Sequence, residues 1–236
     1  MRRLLPTPLT VLTVLLFGAA LNAEETLWSG LSPTQQARLT AGKPVMIEEV
    51  IPGNPWPRYT IYHLVQGTPK QVASVFWDSE LDPQYVPNCT SVRILSRPQP
   101  HVQEAQYTLK MPFFLEDELY VSRNELHTPS PGVYELSWNV IKTRYTKGST
   151  GDLRVEPFGD GTKTLLRYRN AVEPASRFAR LLRSKAGAQV VDSVVALVRQ
   201  VETEMKTGRD LVERQSLELE RSLQRLVPAP SPTATP

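Results

Sequence analysis

Residues 133–172 read VYELSWNVIKTRYTKGSTGDLRVEPFGDGTKTLLRYRNAV, and their periodicity decides the fold. Tyr134, Leu136, Trp138 and Val140 occupy every second position, and Thr164, Leu166 and Tyr168 do the same further on. Successive side chains of extended backbone point to opposite faces, so period two marks strands with one dry face and one wet face. Gly159-Asp160-Gly161 and Lys147-Gly148 are expected to be the turns within this stretch. Upstream, residues 91–95, 102–111 and 118–127 alternate too, divided by Arg97-Pro98-Gln99-Pro100, by residues 112–117 and by Pro129-Ser130-Pro131-Gly132. Six strands at such short spacing predict an antiparallel meander.

Working outward, residues 45–51 and 58–65 read as two more strands around Pro52-Gly53-Asn54-Pro55. Thr68 caps an expected helix over 68–78, with Pro69 in its first turn. Ser32, Pro33 and Gln35 form a helix start before that, and Gly42 and Pro44 end it. Beyond Pro174 the period changes to helical: Val190, Val191, Val194, Val195, Val198, Val201 and Met205 form one apolar stripe. β-branched residues are moderate helix formers, so burial against the sheet is what would hold that stretch helical. The expected fold is therefore α+β, a curved antiparallel sheet wrapped around a long C-terminal helix. Sheet and helix would leave a cavity for an apolar ligand.

The chain has 236 residues, 27 basic and 24 acidic, for a net charge of +3. Arg2 and Arg3 open residues 1–23, followed by an apolar run over 9–20 and small residues near Ala23. These are the parts of a secretory signal peptide, and the run is short for a membrane span. Its removal would leave 25 basic and 24 acidic residues. Such neutrality excludes a dedicated nucleic-acid binder. An exported protein, periplasmic or secreted, is expected; an uncleaved anchor on the outer membrane face is the alternative. With 1 cysteine, Cys89, there is no intrachain disulfide and no cysteine-based zinc cluster, and Cys89 reads as a buried, inert thiol. The expected organisation is an address at 1–23, a helical segment at 24–44, a binding domain at 45–207, an exposed helix extension at 208–227 and a disordered tail at 228–236.

The order of elements resembles the helix-grip superfamily, the START-like (SRPBCC) proteins. Within it, the chain is similar to the polyketide cyclase and coenzyme Q-binding branch. The likeness rests on Pro69-Lys70-Gln71-Val72-Ala73-Ser74-Val75-Phe76-Trp77-Asp78, on Leu81-Asp82-Pro83-Gln84-Tyr85-Val86-Pro87-Asn88-Cys89, and on the block from Gly151 through Pro157 with the run from Gly161 to Tyr168. In the second run Pro83, Pro87 and Cys89 match that branch, Tyr85 stands for a Phe, and Asp82 departs from a Tyr. The resemblance implies binding of a hydrophobic small molecule or lipid, with transfer or sequestration as the task. The alternatives are a cyclase- or hydrolase-like enzyme using the same cavity, and an interaction module using the C-terminal helix.

The inward faces name the candidate cavity wall: Tyr107, Leu109, Met111, Tyr134, Leu136, Trp138, Tyr168, Val194 and Val198. His63 shares a face with Tyr59, Ile61 and Val65, which makes it a candidate polar contact and the best candidate for an acid–base group. His63, His101 and His127 have no metal-ligand spacing, and neither a nucleophile elbow nor a phosphate loop occurs, so no catalytic residue, metal or cofactor is expected. Glu116, Asp117 and Glu118 read as a solvated acidic loop, with acid–base work as the alternative. Arg177, Arg180, Arg183 and Lys185 recur beside Phe178, Leu181 and Leu182, a pattern suited to peripheral contact with an anionic membrane surface. A heptad series of Val198, Met205, Val212, Leu219 and Leu226 raises self-association through the C-terminal helix.

Overall fold

The alternating runs form eight strands: β1 (Val45–Glu49), β2 (Arg58–Gln66), β3 (Cys89–Gln99), β4 (Val102–Leu109), β5 (Glu118–Ser130), β6 (Val133–Lys142), β7 (Thr146–Phe158) and β8 (Lys163–Pro174). The computed structural model describes residues 26–111, 116–175 and 183–224, so the expected address, the tail, Arg177 and Arg180 lie outside the described residues. All eight strands join in one antiparallel sheet in the order β1-β2-β8-β7-β6-β5-β4-β3. The meander supplies β3 to β8, and β2 returns to pair with β8, setting Ile61 opposite Tyr168 and His63 opposite Leu166. The sheet stays open, with β1 and β3 as its edges. Between β2 and β3 the chain crosses through α2 (Pro69–Trp77), a 3-10 turn (Ser79–Leu81) and α3 (Asp82–Tyr85). Helix α4 (Arg183–Thr207) follows the sheet and lies across it, completing the helix-grip arrangement.

Local chemistry sets the helix starts. Helix α1 (Pro33–Thr40) has a capping box in which Ser32 Oγ accepts from the Gln35 amide while the Ser32 amide donates to Gln35 Oε1. Thr68 and Gln71 make the same reciprocal pair at α2. Each pair satisfies two amides that no helical turn can reach. Replacing Thr68 by alanine should cost about 1 kcal/mol in a denaturant titration. A change within a few tenths would show that packing alone fixes the start of α2.

One face of the sheet carries the main core. Ile61 and Val65 of β2, Leu126, Leu136, Leu153 and Leu166 of the meander, and Val194, Leu197, Val198 and Val201 of α4 are buried together with Val72, Val75 and Trp77 of α2. The valine stripe is thus helical because it is packed. The opposite face has its own cover: Leu27, Leu31 and Leu39 from the N-terminal segment bury Val45 and Leu165. Glu156 fixes that cover by accepting from the Leu27 amide at 2.6 Å.

Four expectations need correction. Lys147-Gly148 is not a turn but part of β7, with a register shift between Thr146 and Gly148. The chain reverses instead at residues 143–145, because Glu118 is buried and gathers the Thr143 hydroxyl (2.8 Å), the Arg144 amide (2.8 Å) and the Tyr145 amide (2.9 Å). Glu118 is therefore a structural acceptor and not part of a solvated loop, although Glu116 remains exposed, paired with Arg144 at 2.8 Å. Likewise Arg97, Pro98 and Gln99 belong to β3, an edge strand that tolerates a residue with no amide proton to donate.

The fourth correction concerns the region after Gly208. In place of an exposed extension, α5 (Arg209–Gln224) packs on α2 with Val212, Gln215, Leu219 and Ser222 buried. Gln215 donates to Asp78 Oδ2 at 3.2 Å and Ser222 Oγ accepts from the Trp77 indole at 3.2 Å. Val198, Val212 and Leu219 of the heptad series are thus inside their own fold and offer no seam to a second copy.

Candidate functional site

Between the inner face of the sheet and helices α2, α3 and α4 lies a cavity of about 340 Å3. Tyr107 and Leu109 on β4, Leu136 and Trp138 on β6, Tyr168 on β8 and Val194 on α4 all line it, as their alternation implied. The other expected wall residues do not. Tyr134 shares the β6 face, but it packs toward the end that α2 and α5 cover, near Lys70 and Glu220. Val198 lies one turn beyond Val194, in the core and against a second hollow. Met111 follows the end of β4 at Leu109, so strand alternation no longer governs its direction.

His63 is also outside this cavity. It lines a separate hollow with Leu39, Lys163, Val195 and Arg199, and its Nδ1 is 2.6 Å from the Leu64 carbonyl oxygen. That contact makes Nδ1 the protonated nitrogen. The proposed catalytic use of His63 in the large cavity therefore falls away. Of the expected membrane-contact residues, Arg183 is exposed and ion-paired with Glu48, while its carbonyl accepts from the buried Tyr59 hydroxyl at 3.0 Å. The Lys185 side chain, like Arg177 and Arg180, lies outside the described residues.

The wall is largely aromatic. The Tyr107 and Tyr120 rings stack 4.8 Å apart and 2° from parallel. Trp138 lies 4.9 Å from Tyr168 and 5.9 Å from Phe76. Such pairs add about 0.5–1.5 kcal/mol each beyond their buried area, so they hold the wall in shape with no ligand present. Burial pushes the Tyr107, Tyr120 and Tyr168 hydroxyls well above the usual tyrosine range, so they are neutral donors. Cys89 is buried and lines the same cavity; burial foremost, then the nearby Asp82, pushes its thiol up to about 12, which keeps it the inert thiol expected.

Polar groups gather at the α3 end. Asp82 accepts from the Tyr85 hydroxyl at 2.7 Å. Burial, reinforced by the charge of Asp78 and opposed by the Tyr85 bond, lifts its carboxyl to about 7. Gln103 and Asn124 face each other across β4 and β5. Asn124 donates to the Tyr107 hydroxyl (3.2 Å) and accepts from Ser122 (2.7 Å). Gln103 donates through one Nε2 to the Trp77 carbonyl (3.1 Å) and to Ser79 Oγ (2.8 Å), while its Oε1 has no partner and is buried. Sequence reasoning missed this group. Ser122 and Asn124 break the apolar series on the inner face of β5, so no apolar alternation marks that face as part of the wall; the one signal was Asp82, standing where the resembled family has a Tyr. Among the described residues no cluster of His, Cys, Asp and Glu could hold a metal ion. No described helix is long and apolar enough to cross a membrane.

Residues 65–199 match the profile of a family described as polyketide cyclase / dehydrase and lipid transport. No curated protein matches the sequence significantly. Among solved structures, the chain is similar to a STAR-related lipid transfer protein of Xanthomonas axonopodis (TM-score 0.60, 13% identity, covering 67% of this chain and 93% of that one). It is also similar to the Zhui aromatase/cyclase of Streptomyces sp. R1128 (TM-score 0.51, 17% identity, 64% and 96%). A third likeness is to the lipid transfer and protein localization domain of human StarD13 (TM-score 0.52, 16% identity, 75% and 96%). At such identities these likenesses speak to the fold alone.

Proposed function

The chain belongs to the polyketide cyclase / dehydrase and lipid transport family, and we propose that it binds a hydrophobic small molecule or lipid in the cavity under α4. The observation that carries this reading is the cavity itself. Its volume, about 340 Å3, sits within the range of about 300–1,000 Å3 typical of small-molecule sites. Aromatic and aliphatic side chains supply most of the wall, and polar residues interspersed with them, such as Asp82, Asn124 and Gln189, would orient an apolar guest. Sequestration or transfer of that guest is the task we assign, and the charged start and apolar run of residues 1–23 support assigning it to an exported protein. Arg177, Arg180 and Lys185 would add a peripheral touch on an anionic bilayer.

The test is direct. Protein purified without residues 1–23 should release an apolar compound into organic solvent, seen by mass spectrometry, and should bind an apolar fluorophore saturably. Neither extract nor saturation would remove the reading.

A second reading has one specific observation behind it. A carboxyl near 7, set against a tyrosine hydroxyl inside a cavity, is suited to general acid–base chemistry of the cyclase kind. In that case Asp82→Asn would abolish turnover of a bound poly-carbonyl substrate and leave its affinity in place.

A further inference from the structure

Resting on the binding reading above, we infer that Trp138 and Tyr168 form a polar subsite of the cavity, and that it takes a neutral carbonyl oxygen, of a ketone or an ester, carried on an apolar body. Both residues line the cavity, and their rings stand side by side with centroids 4.9 Å apart. Each keeps one polar group free. Among the described residues, neither the Trp138 indole N–H nor the Tyr168 hydroxyl has a hydrogen-bond partner, and neither atom is sealed off as the buried unpartnered atoms of the protein are. Both side chains are half-buried on the face that α2 and α4 cover, so the surface they keep is the cavity's own. Gly151 stands opposite Trp138 in the β6–β7 pairing, and a Cβ there would lie 2.5 Å from Cε2, the ring carbon that bears the indole nitrogen. Because Gly151 has no side chain, the strand partner of Trp138 leaves that edge of the ring uncovered.

The chemistry of these two groups names the guest. An indole N–H donates and cannot accept. Burial holds the Tyr168 hydroxyl protonated, so it too has a proton to give. Other hydroxyls of the wall are already engaged: Tyr85 donates to Asp82 at 2.7 Å, and Tyr107 accepts from Asn124 at 3.2 Å. Tyr120 also has a free hydroxyl, but it stands apart from this pair, stacked on Tyr107. A donor that faces an apolar cavity without an acceptor is poorly compensated, and a guest that supplies the acceptor gains affinity beyond its packing. A carbonyl oxygen has two lone pairs and brings no proton that needs an acceptor of its own. An alcohol brings such a proton, and an ammonium has no lone pair to offer.

The test displaces an apolar fluorophore from the native protein with one aromatic body carrying different ends: acetonaphthone, methyl naphthoate, naphthylethanol and ethylnaphthalene. The ketone and the ester distinguish the two sources of the carbonyl. The better of them should bind about tenfold tighter than ethylnaphthalene, with naphthylethanol between. In Trp138→Phe and in Tyr168→Phe that ratio should drop to about threefold or less. The ratio is taken within each variant, so lost packing cancels; if Trp138→Phe does not fold, Tyr168→Phe alone decides. Tyr120→Phe, the same deletion elsewhere in the wall, should keep the ratio. The carbonyl stretch of bound acetonaphthone should also lie at lower wavenumber in the native protein than in the Trp138 and Tyr168 variants. Tighter binding of naphthylethanol than of both carbonyl compounds, a ratio that survives in the Trp138 and Tyr168 variants, or one lost only in Tyr120→Phe would overturn the assignment. If the fluorophore itself does not bind, the binding reading fails and takes this one with it. If it binds and the carbonyl brings no gain, only the carbonyl assignment falls.

Discussion

Gly151→Ala should lower stability by about 3 kcal/mol or more, the largest loss expected of any single methyl group in the sheet. Gly151 lies directly opposite Trp138 across β6 and β7. A Cβ placed there would be 2.2 Å from Trp138 Cζ2 and 2.3 Å from the Arg169 carbonyl oxygen. Neither neighbour can give way freely. The carbonyl is backbone in the β7–β8 pairing, and the indole is held by Tyr168 and Phe76. The ring must then leave the cavity wall or the two strands must part. At about 2–4 °C per kcal/mol for a chain of this size, the melting point should fall by roughly 6–12 °C. Gly148→Ala is the control, because a Cβ there meets nothing within 4 Å. Equal melting points for the two variants would show that Trp138 is not confined as described.

Asp82→Asn should act in the opposite direction and only at higher pH. The carboxyl titrates near 3.8 in the unfolded chain and near 7 in the fold. Between those values the unfolded state has already released its proton while the folded state still holds it. Stability from this group therefore falls as pH rises from about 4 to about 7, and the loss is complete above that. The shift corresponds to at most about 4 kcal/mol, lowered by any water in the cavity. Burial raises Glu204 and Glu156 as well, so their contributions carry the same sign. Asparagine keeps the acceptor for Tyr85 and removes the charge. Unfolding curves at pH 5 and pH 8 should thus differ less in the variant than in the native chain, the remainder coming from Glu204 and Glu156. A variant that is less stable than the native chain at pH 8 would reverse the assignment of cause.

Much of the fold was legible because burial and period coincide. Leu136 and Trp138, or Leu166 and Tyr168, announce their strand and their face together. The site was legible only where its wall is apolar. Gln103, Ser122 and Asn124 face inward as polar residues, and no pattern of hydropathy separates an inward amide from an outward one. Helix α5 was misread for a related reason. Its buried stripe runs Val212, Gln215, Leu219, Ser222, half of it polar, and only the partners Asp78 and Trp77 explain why those polar residues are inside. His63 shows the converse error. Sharing a face with Ile61 and Val65 is necessary for reaching the cavity but not sufficient, since α4 divides that face along its length.

The open sheet has a consequence beyond its own ligand. Two free edges expose unpaired amides and carbonyls, a template on which a neighbouring chain could add a strand and begin to aggregate. Each edge is blunted in its own way. β1 is only 5 residues long and ends in Glu48 and Glu49. β3 is long, but its pairing shifts register three times, and it carries Arg93, Arg97 and the amide-less Pro98. A neighbour's strand laid along β3 would meet a kinked ladder, two positive charges and a missing donor. Crowded molecules are thereby kept from growing into one another's sheets.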